Sequence, residues 1–464
     1  MKRLILGIAI LLSLPTHAFS TSEEFLSFGR FGKVTLYRES QHPSQVVLFV
    51  SGDGGWNKGV IDMAEALASL DAVVVGIDIN HYLKELRISS EKCSYPAADF
   101  EMLSKFIQKK LDLPGYVPPI LVGYSSGATF VYATLVQAPP NTFRGAISLG
   151  FCPDLPLTKP LCRGNGLEWK RGPRGKGYSF LPASNLQVPW IAFQGTIDQV
   201  CNVPAVENYV KQVGHGEIVL LPKVGHGFAV QRNWMPQFKQ AFKRLIETHR
   251  IDRSPVGDEL NDLPLVEVLP KGPSRNVFAV ILSGDGGWAS IDRELGNSLA
   301  SQGISVVGLN SLQYFWTRRT PEEAAKDLER ILLYYLTSWK KEKVILIGYS
   351  LGADVLPFMV NRLSHDILDQ VQLTVLLGPE QAVAFEFHLT DWLGLSSSVN
   401  AQPVLPEVEK LEDMKILCFY GEEEKDSLCR DLDIGLGKNI LLKGGHHFRG
   451  DYEAIAETIL REVK

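Results

Sequence analysis

Two short segments of the chain have the form Gly-x-Ser-x-Gly, which is typical of a nucleophilic serine. They are Gly123-Tyr-Ser-Ser-Gly127 and Gly348-Tyr-Ser-Leu-Gly352. Each follows an apolar β-type run and precedes a helical run, and small residues around such a sharp turn let the hydroxyl stand clear of the sheet. The same pattern occurs at ordinary strand-to-helix turns. Ser125 and Ser350 are therefore candidate nucleophiles that need partners.

A serine hydroxyl is a weak nucleophile until a base accepts its proton, and an acid must hold that base in the correct tautomer. Asp198 follows an apolar run, and His226 lies in a Gly-His-Gly turn after the last predicted strand of the first half. Asp426 and His446 occupy the matching places in the second half. The order Ser, Asp, His is that of the α/β-hydrolases. The sequence predicts two triads.

The second half also offers competing residues. These are His447 for the base, and Asp354, Glu422, Glu423 and Glu424 for the acid. The pattern Lys-x-Gly-His-x-Phe aligns His446 with His226, and Asp198-Gln-Val-Cys aligns with Asp426-Ser-Leu-Cys. The repeat therefore favours His446 and Asp426.

A glycine-rich segment follows the first strong apolar run of each half: the first glycine loop, Ser51–Trp56, and the second glycine loop, Ser283–Trp288. In this fold such a loop supplies one N–H of the oxyanion hole, and the residue after the nucleophile supplies the other. The spacing fits neither of the common phosphate-binding loops. The predicted oxyanion residues are Gly52, Asp53 and Ser126, and Gly284, Asp285 and Leu351. Trp56 and Trp288 are expected to pack the loops.

These motifs recur in the same order, so the chain of 464 residues is a tandem duplication of a whole domain. A segment that contains Pro and Gly separates the copies. We predict a signal peptide at residues 1–18, an N-terminal domain at 22–252, a linker at 253–274 and a C-terminal domain at 275–464.

Short apolar runs alternate with helical patterns in both halves, which predicts a mainly parallel sheet in each. The predicted strands are Val46–Val50, Ala72–Ile77, Pro119–Val122, Gly145–Leu149, Trp190–Phe193 and Ile218–Leu221, then Val277–Leu282, Ile304–Leu309, Val344–Ile347, Leu373–Leu377, Lys415–Phe419 and Ile440–Leu442. The fold class is α/β, with two tandem α/β-hydrolase domains that are each a doubly wound sheet.

Composition narrows the function. The formal charge of −5 gives no basic field for nucleic acid. Lys2 and Arg3, an apolar stretch and Thr16-His17-Ala18 read as a secretory signal with a cleavage site. The apolar run is shorter than a spanning helix needs, although an uncleaved anchor is the alternative. We expect export to the periplasm.

The six cysteines fit an oxidising compartment. Cys418 and Cys429 are the only two in the second half, so they are expected to pair with each other if the halves fold separately. None of the six has metal-ligand spacing with His, and the chemistry needs no metal or organic cofactor.

Longer motifs carry a family resemblance. Ser283-Gly-Asp-Gly-Gly-Trp288, Tyr314-Phe-Trp-Thr-Arg-Arg-Thr-Pro321, Ile347-Gly-Tyr-Ser-Leu-Gly-Ala-Asp-Val-Leu-Pro-Phe358, Asn361-Arg-Leu363 and Gly445-His-His-Phe448 together resemble the bacterial virulence family VirJ. The exported two-domain layout resembles the AcvB members of that family. The match covers most of residues 275–464, and the first half resembles the same domain more loosely.

The resemblance implies a periplasmic hydrolase that removes lysyl or alanyl groups from aminoacyl-phosphatidylglycerol, in peripheral contact with the inner membrane. It implies Ser350 as nucleophile, His446 as base and Asp426 as the acid, and a link to type IV secretion proteins. The halves differ at Ser126 versus Leu351 and at Gly227 versus His447, so which half is active stays open. The rival functions are a non-catalytic secretion accessory on a hydrolase scaffold and a general carboxylesterase or peptidase.

A long insertion follows the strand after each nucleophile helix, and the two insertions differ in charge. Residues 152–188 are rich in Lys and Arg, whereas residues 379–414 are acidic and include Glu380, Glu386 and Asp391. The acidic insertion favours a cationic substrate, and the basic one favours anionic lipid; incidental charge on two solvated loops is the alternative. Arg318 and Arg319 are candidate ligands of a headgroup phosphate, or surface charges where a helix begins.

Overall fold

The computed structural model describes residues 24–172, 175–251, 258–387, 401–433 and 435–463. The predicted signal peptide, Arg174 in the basic insertion and Asp391 in the acidic one lie outside the described residues. Within the described ranges, none of the helices combines the length and the apolarity needed to cross a bilayer.

The N-terminal domain is built on an eight-stranded sheet. Its strands are β1 (Glu24–Phe28), β2 (Gly32–Tyr37), β3 (Gln45–Val50), β4 (Ala72–Ile77), β5 (Ile120–Tyr124), β6 (Gly145–Leu149), β10 (Trp190–Gly195) and β11 (Gly216–Leu221). They lie in the order β1-β2-β4-β3-β5-β6-β10-β11. All pairings from β4 to β11 are parallel, and β1 and β2 add an antiparallel edge. The six predicted strands are all present.

Helices cover both faces of this sheet and bury its central strands completely, which explains why those strands are continuous apolar runs. The helices are α1 (Lys58–Ala68), α2 (Ile79–Ile88), α3 (Pro96–Lys110), α4 (Ser126–Gln137), α5 (Val203–Val210) and α6 (Met235–Ile251). Within the basic insertion a small antiparallel sheet is formed by β7 (Asp154–Leu155), β8 (Trp169–Arg171) and β9 (Tyr178–Phe180).

The C-terminal domain repeats this plan with a seven-stranded sheet. Its strands are β12 (Leu265–Val268), β13 (Val277–Leu282), β14 (Ser305–Leu309), β15 (Lys343–Tyr349), β16 (Val371–Leu377), β19 (Ile416–Gly421) and β20 (Lys438–Leu442), with a two-residue pair, β17 (Ala382–Val383) and β18 (Gln402–Pro403), in the insertion. The sheet order is β12-β14-β13-β15-β16-β19-β20. The helices are α7 (Ser290–Ser301), α8 (Ser311–Tyr314), α9 (Pro321–Ser338), α10 (Leu351–Val360), α11 (His365–Leu368), α12 (Leu405–Glu409) and α13 (Tyr452–Glu462).

Part of the predicted linker belongs to the second domain. β12 pairs antiparallel with β14 at the sheet edge, and Leu260 and Leu263 are buried in the same domain's core. Arg330 on α9 binds the Asp262 carboxylate through both of its terminal nitrogens at 3.0 and 2.8 Å. The alternating pattern of this edge strand is short and weak in the sequence. Because the surrounding segment contains Pro and Gly, the sequence indicates a linker there and not a strand.

The two domains stack head to tail. The turn between α4 and β6 and the residues before β10 lie at the amino-terminal edge of the first sheet, and they face the loops at the carboxyl-terminal edge of the second sheet. Trp316 fixes this arrangement: its Nε1 donates to the Leu113 carbonyl at 2.8 Å, and the Lys109 ammonium donates to the Trp316 carbonyl at 2.6 Å. Tyr116 and Phe387 pack on the same indole ring.

Candidate active site

Both predicted serines occupy a strained turn between a central strand and a helix. Ser125 joins β5 to α4 with φ 56° and ψ −121°, and Ser350 joins β15 to α10 with φ 51° and ψ −121°. A side-chain-bearing residue adopts such a conformation only where the surrounding structure enforces it. A Cβ on Gly127 would lie 2.3 Å from the Ser51 carbonyl oxygen, and one on Gly352 would lie 2.1 Å from that of Leu282. The close helix–strand contact therefore requires these glycines.

In the N-terminal domain the three predicted residues form a continuous hydrogen-bonded chain. Ser125 Oγ lies 2.9 Å from His226 Nε2, and His226 Nδ1 lies 2.9 Å from Asp198 Oδ2. The Asp198 side chain is fully buried, and it also accepts from the N–H groups of Val200 and Cys201 at 2.8 and 3.0 Å. Burial raises the pKa of Asp198, but the hydrogen bonds from Cys201, His226 and Val200 outweigh it and lower the pKa. The arrangement keeps an ionised carboxylate on the imidazole.

In the C-terminal domain the acid differs from the prediction. His446 Nδ1 lies 2.5 Å from Glu424 Oε1, while Asp426 is exposed two residues further on. The prediction of Asp426 is wrong because it depends on the distance to Cys429, and the loop there is two residues longer than its counterpart. Glu424 stands three residues after Gly421, as Asp198 stands three residues after Gly195. Counting from the glycine that ends the strand finds the correct residue.

The choice between the two adjacent histidines follows from their partners. His447 Nδ1 is 3.1 Å from the Tyr349 hydroxyl, so His446 alone occupies the place of His226. Tyr349 also donates to the His446 carbonyl, as Tyr124 donates to the His226 carbonyl at 3.1 Å. The tyrosine before each serine thus anchors the histidine turn. Sequence reasoning missed this role, although both copies carry the tyrosine.

The two imidazoles relate differently to their serines. In the part of the chain that the structure describes, Ser125 hydrogen-bonds its imidazole and Ser350 does not. Burial lowers the pKa of His446, but the hydrogen bond and charge of Glu424, with the charges of Glu380 and Asp285, outweigh burial and raise it above its ordinary value. Burial and the neighbouring His446 lower the pKa of His447.

The glycine loops lie beside the serines. A Cβ on Gly52 would be 3.0 Å from the Ser125 Cβ, and one on Gly284 would be 3.4 Å from the Ser350 Cβ. The backbone of Asp53 and Asp285 follows directly, and Ser126 and Leu351 begin the nucleophile helices.

Each loop tryptophan lies over a strand glycine. Trp56 covers Gly76 and Trp288 covers Gly308, and a Cβ added to these glycines would meet the rings at 2.2 and 2.1 Å respectively. Both tryptophans therefore pack the loops against the sheet, as the sequence predicts.

Three of the four predicted substrate-binding residues lie outside the cleft that contains Ser350. Arg318 is exposed, and Arg319 stacks its guanidinium 5.0 Å from the Tyr314 ring centroid. Glu386 lies 3.6 Å from Lys109 and so contributes to the domain interface. Glu380, in contrast, lines the same cleft as Ser350 and His446.

Carboxylates surround Ser350. Glu380 donates its backbone N–H to Asp354 at 2.7 Å, and Asp354 and Asp292 are almost completely buried. Burial raises the pKa of both Asp292 and Asp354 well above their usual range, with the charge of Asp285 acting in the same direction. In the N-terminal domain the corresponding positions are Val60, Thr129 and, in place of Glu380, Cys152. The second site therefore contains three more carboxyl groups than the first, and burial favours the neutral form of two of them, Asp292 and Asp354.

Three disulfides are formed among the described residues. Cys418 pairs with Cys429 as predicted, and the other two bridges are Cys93–Cys162 and Cys152–Cys201.

Asp198, Cys201 and His226 are close enough to be considered as metal ligands. However, Cys201 Sγ is bonded to Cys152 and His226 Nδ1 is occupied by Asp198, so this cluster does not offer the donors that a metal requires.

Ser350 opens into a large cleft between the domains. The cleft has a volume of about 1280 Å³ and also contains His446, His447, Glu380 and the second glycine loop. The N-terminal domain forms its opposite wall with residues 139–144 and 187–189.

Comparison with solved structures returns proteins about the size of one domain. The esterase domain of a Rhodothermus marinus protein is 12% identical and covers 48% of this chain and 97% of its own, with a TM-score of 0.33. Est1E from Butyrivibrio proteoclasticus is 13% identical, covers 49% and 100%, and has a TM-score of 0.34. An α/β serine hydrolase without a lid from Xanthomonas campestris is 19% identical, covers 51% and 98%, and has a TM-score of 0.32.

A search among curated proteins finds no match. The family model described as bacterial virulence protein (VirJ) matches residues 44–148 and 276–464. The two segments contain both glycine loops and both serines and together span more than half of the chain. The chain therefore belongs to the VirJ family.

Proposed function

We propose that the protein is an exported serine ester hydrolase that acts through an acyl-enzyme. The hydrogen-bonded chain Ser125–His226–Asp198 carries this proposal, because its two 2.9 Å contacts are those that a serine nucleophile and its general base require. The same elements, with Glu424 as the acid, are repeated around Ser350.

The reaction at Ser125 follows from these contacts. His226 Nε2 accepts the hydroxyl proton as Oγ attacks the ester carbonyl, while Asp198 holds the proton on Nδ1 and stabilises the imidazolium. We assign the N–H groups of Ser126 and Asp53 to the oxyanion hole that binds the tetrahedral intermediate. The imidazolium then gives its proton to the leaving alcohol, and water repeats the sequence on the acyl-enzyme.

At Ser350 we propose His446 and Glu424 in the corresponding roles, with N–H groups of Leu351 and Asp285 in the oxyanion hole. The proposed substrate is aminoacyl-phosphatidylglycerol, whose lysyl or alanyl group carries an ammonium. Asp285, Glu380 and Glu424 support this choice, since negative charge near the serine attracts a cationic acyl group. The match to the VirJ family covers residues 276–464, which contain Ser350, Glu424 and His446.

The proposed location is the periplasmic face of the inner membrane. In the N-terminal domain Lys170 and Arg171 are exposed on β8 of the basic insertion. A basic side chain close to an anionic lipid surface contributes about 1 kcal/mol to binding. We also propose contact with type IV secretion proteins, because the chain belongs to the VirJ family.

Four proteins test the function: the wild type, Ser125→Ala, Ser350→Ala and the double variant, each on lysyl- and alanyl-phosphatidylglycerol and on p-nitrophenyl acetate. We expect the wild type to release amino acid, Ser350→Ala to lose most of that release, and the double variant to be inactive on every substrate. Unchanged turnover in the double variant would contradict the serine mechanism. Activity on p-nitrophenyl acetate without release of either amino acid would identify a general esterase, and a wild type inactive on all three would favour the non-catalytic accessory.

A further inference from the structure

The tryptophan of each glycine loop packs on its own sheet, but the side-chain amides that contact the two loops come from different domains. In the N-terminal domain, the Asn80 amide on α2 donates to the Asp53 carbonyl at 2.9 Å, and Trp56 Nε1 donates to the Tyr37 hydroxyl at 2.9 Å. Both partners belong to the same domain as the loop. The first glycine loop is therefore fixed from within its own domain.

The second glycine loop has lost the equivalent amide. Ile77 and Leu309 are equivalent, because each ends a strand and accepts the N–H of the serine that begins the glycine loop. Counting on from there places Leu312 where Asn80 stands in the first copy. Leu312 cannot donate a hydrogen bond, and its side chain is buried in the cluster around Trp316 at the domain interface.

An amide from the other domain contacts the second loop instead. Asn141 Nδ2 donates to the Trp288 carbonyl at 3.2 Å, at the end of the second glycine loop. Asn141 lies in the turn between α4 and β6 with φ 70°, a left-handed conformation that Asn tolerates better than most residues. This turn is part of the wall of the cleft that contains Ser350.

The position of the turn is itself fixed. The hydrogen bonds between Trp316, Leu113 and Lys109 hold the domains together, and the bond between Arg330 and Asp262 holds the segment that connects them. The hydrogen bond from Asn141 is only partly buried, and between two freely moving domains such a bond would contribute little. Between domains fixed in this way, it can restrict the loop without a large loss of entropy.

We propose that the N-terminal domain completes the Ser350 site, with Asn141 as a positioning residue that holds the second glycine loop through the Trp288 carbonyl. The inference rests on the proposed role of Ser350 as nucleophile. It gives the N-terminal domain a function in the C-terminal reaction that does not depend on the chemistry of Ser125.

The test uses the full-length chain in the Ser125→Ala background, with p-nitrophenyl acetate as substrate, so that turnover reports on Ser350. Asn141→Gly removes the amide but keeps the left-handed turn, and Asn141→Asp keeps the shape but cannot donate. We expect kcat to fall about 5- to 20-fold in both with KM unchanged, which is less than the ~10²–10³-fold loss of a direct oxyanion donor. Lys340→Gly, at an exposed residue with φ 52° outside the cleft, is the matched control and should leave kcat unchanged.

The same Asn141 variants are then placed in the Ser350→Ala background, where turnover reports on Ser125. A residue that only stabilised the N-terminal domain would lower this activity first, whereas the proposal expects no change. If both Asn141 variants keep the kcat of Ser350-dependent turnover, the inference is wrong and the proposed function stands. If the Ser125→Ala protein has no hydrolytic activity that is abolished by adding Ser350→Ala, the proposed role of Ser350 is wrong. The inference is then wrong as well.

Discussion

The loops that carry the acid in the two domains leave the sheet in the same way and then diverge. Asp198 and Glu424 each stand three residues beyond the glycine that ends a strand, but the first loop reaches its cysteine after three more residues and the second after five. The first loop closes tightly on its carboxylate through two N–H groups. The second leaves Glu424 15% exposed, against 0% for Asp198. The distance from the strand end, not from the cysteine, therefore locates the acid.

The disulfides of these two loops also have different partners. Cys201 is tied to Cys152 on the neighbouring loop, whereas Cys429 is tied to Cys418 on its own strand. The position that Cys152 occupies in the first domain is Glu380 in the second. Both acid loops therefore carry a disulfide, but only the first is tied to the neighbouring loop, and the second domain has a carboxylate, Glu380, at the position of Cys152. The extra carboxylate at Glu380 is the difference on which the proposed preference for a cationic acyl group depends.

The largest effect is expected from Asp198→Asn in the Ser350→Ala background. The amide keeps the shape but favours the wrong imidazole tautomer, so kcat should fall about 10⁴-fold. The measurement is kcat on p-nitrophenyl acetate, with the thermal midpoint as the control for folding. A loss below tenfold would show that the buried carboxylate does not orient His226.

Glu424→Gln in the Ser125→Ala background is expected to lower kcat about 10²-fold, the lower end of what a positioned acid–base group contributes. The effect is smaller because Ser350 is not hydrogen-bonded to His446 in the resting structure. Asp426→Asn is the matched control and should remain within twofold of its parent. If Asp426→Asn is the more damaging of the two, the assignment of Glu424 is wrong.

Replacing both Cys152 and Cys201 by Ser should reduce the free energy of unfolding by about 2–4 kcal/mol, because the bridge closes a long loop. It should also lower the Ser125-dependent kcat, because the Cys201 N–H donates to Asp198. The expected loss is smaller than the loss of Ser350-dependent kcat caused by Glu424→Gln. The control is the pair Cys93→Ser and Cys162→Ser in the same domain, which should lose stability and keep kcat. Equal losses of kcat in the two double variants would show that the Cys152–Cys201 disulfide has no specific effect on Asp198.

The smallest effect is expected in the pH profile of the C-terminal site. A general base must be neutral, and the raised pKa of His446 keeps its imidazole protonated to higher pH. The acidic limb of kcat/KM in the Ser125→Ala protein should therefore have its midpoint above ~6.5, the ordinary value of histidine. Glu424→Gln should move that midpoint to lower pH. A limb at or below the ordinary value would show that the carboxylates do not control the base.

Local patterns predict much of this molecule. All twelve expected strands are present, and both serines lie on the predicted turns, because a buried parallel strand and a nucleophile turn each depend on a few adjacent residues. The same patterns do not predict the antiparallel edge strands β1, β2 and β12. Strands β1 and β12 are only partly buried, so they lack the continuous apolar run that marks a central strand.

The sequence by itself determined the duplication, the fold class, the two serines and histidines, and the pairing of Cys418 with Cys429. Only the tertiary structure decided that Glu424 and not Asp426 contacts His446, since two additional loop residues change which side chain points inward without changing the motif. It also decided that Asn141 reaches the second glycine loop and that the two domains share a cleft. Contacts between residues so far apart depend on how the two sheets stack, and no spacing within either repeat encodes that distance.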